Sequence, residues 1–116
     1  METKQIQDLT ENLWLEYAMI FPALVRFDVP TIKRNNRFTR TAGCCYQELN
    51  QIDLGWKFFP KNSQAMLTII LPHEMAHQID FNLNGISEKK CGHGKKWCDI
   101  MVKLGIPANK YHSLTI

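Results

Sequence analysis

No C-x-x-C pair occurs in this chain, whose four cysteines are Cys44, Cys45, Cys91 and Cys98. A zinc ribbon and a thioredoxin-like redox motif are therefore excluded. Adjacent Cys44 and Cys45 would point to opposite faces of a strand and are poorly placed to bridge each other. Reduced thiols in a cytoplasmic setting are expected. Residues 1–14 lack the basic-then-apolar pattern of a secretory leader. Apolar runs are far shorter than the roughly 20 residues that a membrane span needs. Internal repeats, low-complexity tracts and Gly/Ser linkers are missing too, so the 116 residues are expected to form one domain without a C-terminal zinc ribbon.

A strong charge of one sign is also lacking. The net charge is +3, too small by itself to argue for a nucleic-acid partner. Its distribution says more: Lys33, Arg34, Arg37 and Arg40 lie in a stretch with no acidic residue, and Lys89, Lys90, Lys95 and Lys96 have only Glu88 against them. Such groups attract phosphates, although a solvated polar face is the commoner explanation. The composition, 45% hydrophobic and 22% charged, is that of an ordinary globular domain. A chain of this length buries enough apolar surface to fold without disulfides.

Ile6, Leu9, Leu13, Tyr17 and Ile20 recur at helical spacing and predict a helix over residues 5–21, ended by Pro22. Imperfect alternation over residues 24–29 suggests a half-buried strand. Residues 38–55 read as a hairpin, with Gly43 at a bulge or a close approach. A long helix is expected from Asn62 or Ser63 to Leu83, kinked by Pro72 and closed by Asn84 and Gly85. Trp97, Ile100, Met101 and Leu104 form the apolar stripe of a last helix over residues 94–104, stopped by Gly105 and Pro107. Trp14, Phe58, Phe59 and Trp97 are expected in the core, and Cys44, Cys45 and Cys98 as small buried apolar groups. The class is α+β.

Chemistry is concentrated at residues 72–77, Pro-His-Glu-Met-Ala-His, which contain H-E-x-x-H. Four residues of helix advance about 400°, so His73 and His77 lie about 40° apart on one face, one turn displaced. Both imidazoles can then reach one zinc ion at about 2.0–2.1 Å. Glu74 projects about 100° away, near enough to serve a metal-activated water without ligating. A catalytic zinc site uses three protein ligands and leaves one position to water, whose pKa falls to about 7. A neighbouring carboxylate can then take its proton.

The third ligand is open. A metzincin extension would need Gly at position 80 and His at 83, where this chain has Asp80 and Leu83. Asp80, Glu88, Cys91, His93 and His112 remain as candidates. Asp80 would have to bend back along its own helix. His93 is favoured, because Gly92 and Gly94 permit close backbone approach and a ligand at a helix start is rigidly aimed. His112 is a candidate to support a ligand from behind or to face the substrate, and Tyr111 stands beside it.

From Leu71 onward the chain resembles the SprT family of zinc metallopeptidases, which includes the Spartan proteases. The family's proline before H-E-x-A-H is met by Pro72, His73, Glu74, Ala76 and His77. Its H-G-K/P-x-[WF] element is met by His93, Gly94, Lys95 and Trp97. Bacterial members continue to Leu-Gly-[VI]-Pro-Ala and a nearby histidine, as do Leu104, Gly105, Ile106, Pro107, Ala108 and His112 here. The resemblance implies helices packed on a small, about three-stranded antiparallel sheet, with a zincin-like active-site helix over an open groove. It implies His93 as the third zinc ligand. It also implies an endopeptidase associated with DNA and acting on DNA–protein crosslinks.

Three readings follow. In the first, a monomeric endopeptidase binds Zn²⁺ through His73, His77 and His93 and uses Glu74 as the base. Protein or peptide is then the substrate, and DNA is met by Lys33, Arg34, Arg37, Arg40, Lys89, Lys90, Lys95 and Lys96. In the second, the zinc fold is a DNA- or protein-binding module with little or no turnover. The third makes zinc a structural staple closed by Cys91 or Cys98, and the unligated Glu74 argues against it.

Overall fold

The structure, a computed structural model, describes residues 2–85, 94–108 and 112–116. The first helix, α1 (Thr3–Ile20), buries Ile6, Thr10, Trp14 and Tyr17 on one face. At its start the Glu2 backbone N–H donates to Gln5 Oε1 at 2.8 Å, pairing one of the donors a helix start leaves open. Pro22 ends it, as expected.

The strand expected over residues 24–29 is instead a 3₁₀ turn, Pro22–Arg26. Proline fixes the first φ of that turn. Only Leu24 is buried in it, and Val25 is 77% exposed, so the apparent alternation has no face to serve.

The first strand lies further on, in the basic stretch to which no element was assigned: β1 (Thr31–Asn35) buries Ile32 and exposes Lys33 and Arg34. It is followed by β2 (Gly43–Tyr46) and β3 (Gln51–Gly55), which form the antiparallel hairpin. Between them lie a 3₁₀ turn, Gln47–Leu49, and Asn50, whose φ of 51° is left-handed. Asparagine tolerates that region better than most residues.

The sheet order is β1-β3-β2, with β1 parallel to β3. The three-stranded α+β arrangement is thus present, but the sheet is mixed rather than wholly antiparallel. The reason is that β1 pairs with the far strand of the hairpin, which runs in its own direction. Ile32, Ile52 and Cys45 share a row, as do Lys33, Asp53 and Cys44. One face is therefore apolar and packs on the helices, and the other is polar.

The outer edge of β1 is covered by a side chain. Gln7 of α1 donates from Nε2 to the Pro30 carbonyl at 2.9 Å and accepts from the Ile32 N–H at 2.8 Å. Its amide stands in for a fourth strand, which blunts an otherwise pairing-competent edge.

A helical run then extends from Phe59 to Asn84 in three parts: α2 (Phe59–Ala65), a π turn (Met66–Ile70) and α3 (Leu71–Asn84). It begins earlier than the expected Asn62, which is itself non-helical at φ −131° and ψ 29°. The interruption expected at Pro72 takes the form of the π turn before it. A proline ring clashes with the carbonyl four residues back, and a widened turn moves that carbonyl aside. Gly85, with a φ of 79°, ends the run where expected.

The last helix, α4 (Lys95–Leu104), buries Trp97, Ile100 and Met101. At its end Gly105 adopts a φ of 73°, and Ile106 N–H reaches the Met101 carbonyl at 3.0 Å. That is a Schellman closure. Trp14, Phe58, Phe59 and Trp97 lie in the core with Met66, Leu71, Met75 and Ile79. Cys44, Cys45 and Cys98 are unbridged and half-buried rather than buried, because β2 is an edge strand and Cys98 flanks the stripe of α4. Among the described residues no helix is long and apolar enough to cross a membrane.

Candidate metal centre

The first turns of α3 carry His73, Glu74 and His77, and one ligand atom from each lies within 4.8 Å of the others. His73 Nε2 and His77 Nε2 are 3.2 Å apart. Two nitrogens each about 2.0–2.1 Å from a tetrahedral ion are separated by about 3.3–3.4 Å. The two rings therefore converge to the spacing that one such ion requires. Glu74 Oε2 stands 3.9 Å from His73 Nε2.

Glu74 is only 7% exposed, and this burial pushes its carboxyl from the ordinary 4.5 up to about 8. Loss of water disfavours the charged form. The cover is β2: a Cβ on Gly43 would stand 3.0 Å from Glu74 Cγ and 3.2 Å from Oε2, with Ile70 Cγ2 also at 3.0 Å. The close approach expected at Gly43 is real, and its neighbour is the carboxylate of the motif.

Side chains join β2 and its following turn to α3. Gln47 Nε2 donates to the His77 carbonyl at 2.9 Å, and Gln78 Nε2 donates back to the Gln47 carbonyl at 3.1 Å. The Cys45 thiol donates to Gln78 Oε1 at 3.4 Å. Gln78 is 1% exposed and also reaches Asn82 Oδ1 at 3.0 Å. Sequence reasoning passed over Gln47 and Gln78. The usable signal was the period of two from Gly43 to Cys45, which carries one face of β2 along α3.

From α4, Trp97 packs on both imidazoles. Its ring lies 4.7 Å from that of His73, tilted by 61°, and 5.2 Å from that of His77 at only 16°. Its Nε1 donates to the His73 carbonyl at 3.4 Å.

Among the described residues the other candidates, Asp80 and His112, do not join the cluster. Asp80 is buried on α3 and accepts from Asn84 Nδ2 at 2.9 Å; it is not one of the converging groups. His112 accepts from the Leu114 N–H through Nδ1 at 3.0 Å, so its Nε2 donates to the Arg40 carbonyl at 2.7 Å. Edge-on to Phe58 at 5.3 Å, it fastens the 112–116 segment to the loop before β2. Glu88, Cys91, His93 and Tyr111 lie outside the described residues, as do Lys89 and Lys90. Lys33, Arg34, Arg37, Arg40, Lys95 and Lys96 are all exposed, and the Arg34 guanidinium sits 5.2 Å from the Trp56 ring centre.

The fold and cluster together define a class: a small α+β domain with a His-Glu-His group on one helix, spaced as a metal ion requires. Comparison with known proteins narrows it. A model of the SprT-like family matches residues 8–113, and the chain belongs to that family.

It is similar to Protein SprT of Vibrio parahaemolyticus, 38% identical over 91 residues that cover 78% of this chain and 53% of that protein. Protein SprT of Vibrio atlanticus is 35% identical over 91 residues, 78% of this chain and 52% of its own length. Protein SprT of Escherichia fergusonii is 30% identical over 112 residues, 95% of this chain and 66% of that protein. The chain thus spans about half the length of the two Vibrio relatives. No solved structure matches it.

Proposed function

We propose that the chain is a zinc-dependent endopeptidase in which His73, His77 and His93 hold the ion and Glu74 is the general base. The observation that carries this is the convergence of two Nε2 atoms at 3.2 Å beside a buried carboxylate. Support for His93 is indirect: Trp97, four residues later, packs on both imidazoles.

A bound divalent ion supplies polarisation of the scissile carbonyl and acidifies the attacking water. The residues do the rest. Glu74 takes the water's proton and later delivers one to the leaving amine. Gly43 leaves room for the carboxylate and keeps the strand backbone close to it. β2 is an outer strand of the sheet, and its edge is suited to receive an extended peptide by strand addition.

Protein crosslinked to DNA is the proposed substrate, in keeping with the exposed basic residues of β1, the following loop and the start of α4. A cytoplasmic monomer is the proposed state. The same exposed basic residues favour a second reading, a nucleic-acid-binding module with little turnover.

One experiment separates them. The purified protein is assayed for bound metal, then for cleavage of a model protein with and without single- and double-stranded DNA. Cleavage by the wild type and none by Glu74→Gln, with zinc retained in both, is the expected result. Salt-dependent DNA binding without any cleavage selects the second reading.

A further inference from the structure

We infer that Trp97 is a positioning residue of the metal centre: its buried indole clamps both imidazoles and so sets the affinity for the ion. The inference rests on the reading of His73 and His77 as ligands and adds a determinant from a different helix.

An imidazole on a helix turns about two side-chain torsions, and H-E-x-x-H spacing alone does not choose which ring nitrogens meet. Here the choice is made by contact. Trp97 is fully buried. It lies nearly parallel to the His77 ring and tilted to the His73 ring, while the two imidazoles are 4.9 Å apart at 69°. One flat surface thus holds two rings at different tilts with both Nε2 atoms turned inward. The indole N–H on the His73 carbonyl fixes the indole against α3.

The placement of Trp97 is set by its own helix. It stands in the first turn of α4, three residues after Gly94, whose carbonyl accepts from Cys98 N–H at 3.1 Å. Ile100 and Met101 bury the same stripe one turn on. The clamp is therefore anchored in the core, and α4 cannot slide without moving it.

Side chains held in their binding geometry beforehand lose less freedom when the ion arrives. Groups behind metal ligands typically govern affinity by about 10–100-fold. A wholly structural Trp97 would change stability and leave affinity untouched, which makes the two roles separable.

The test is equilibrium binding of Zn²⁺ by chelator competition and of Co²⁺ by its visible absorption, on the full chain. The variants are Trp97→Leu, Trp97→Phe and, as a core truncation of the same helix, Ile100→Ala. Affinities are corrected for the folded fraction from circular dichroism. Expected results are a loss of about tenfold or more for Trp97→Leu, with an altered Co²⁺ spectrum. Trp97→Phe, which keeps a flat ring, restores part of it, and Ile100→Ala binds as the wild type does. If either Trp97→Leu or Trp97→Phe fails to fold, the other decides. Wild-type affinity in the tryptophan variants, or an equal loss in Ile100→Ala, overturns the inference alone. A wild-type protein that binds neither ion overturns the reading of the site as well.

Discussion

At the scale of single residues, the centre depends on how Glu74 is buried. Its carboxyl is raised from 4.5 to about 8 by loss of solvent, so the folded state holds the proton more tightly than the unfolded one. The stabilisation is complete below the unfolded pKa and is lost as pH rises through the folded one. Metal-free protein should therefore lose stability between about pH 4.5 and 8. Glu74→Gln should lack that slope and melt several degrees above the wild type at pH 8. Thermal melts in chelator at pH 5 and pH 8 check this, and parallel curves for the two proteins would refute it. Gly43→Ala addresses the same carboxylate from the strand side. Its methyl would meet Glu74 Cγ and Ile70 Cγ2 at 3.0 Å. Overpacking of this kind costs about 1–3 kcal/mol. The expected outcome is a protein that still folds, with kcat reduced by more than its stability loss explains.

At the scale of elements, α3 is held from the sheet by amides rather than by apolar contact alone. Gln78 is buried and bonds to the Gln47 carbonyl, to Asn82 and to the Cys45 thiol. Gln78→Ala removes the partner of the Cys45 thiol and of Asn82 Oδ1, while the Gln47 carbonyl keeps the Asn50 N–H, at a total cost of about 1–3 kcal/mol. Urea denaturation should show a lowered midpoint with an unchanged slope. On the opposite edge, Gln7→Ala removes the amide that pairs with Pro30 and Ile32. Amide exchange at Ile32 should accelerate by about tenfold, the effect of about 1.4 kcal/mol of local stability. Unchanged exchange there would mean that packing of α1 alone protects the edge.

At the scale of the whole molecule, an ion bound only by the folded form stabilises all of it, by about 2.7 kcal/mol at a hundredfold excess over Kd. Added zinc should raise the Tm of the wild type by several degrees and leave His77→Ala nearly unmoved. Differential scanning fluorimetry with and without chelator reads this directly. The helices, the H-E-x-x-H face and the terminating glycines were legible in the sequence because each depends on residues within one or two turns. Pro72 was legible as a disturbance, although its form as a π turn was not. Residues 31–35 carry no legible strand pattern, since one buried residue, Ile32, among largely exposed ones leaves almost no alternation to detect.

The sequence by itself determined that His73 and His77 share a helix face with Glu74 beside them, because an α-helix repeats every 3.6 residues whatever surrounds it. Only the tertiary structure decided that β1 runs parallel to β3, that Gly43 covers Glu74, and that Trp97 aligns the imidazoles. Those contacts join residues 20 or more positions apart. Which faces meet across such distances is settled by the burial of apolar surface over the whole chain, and no local repeat records it.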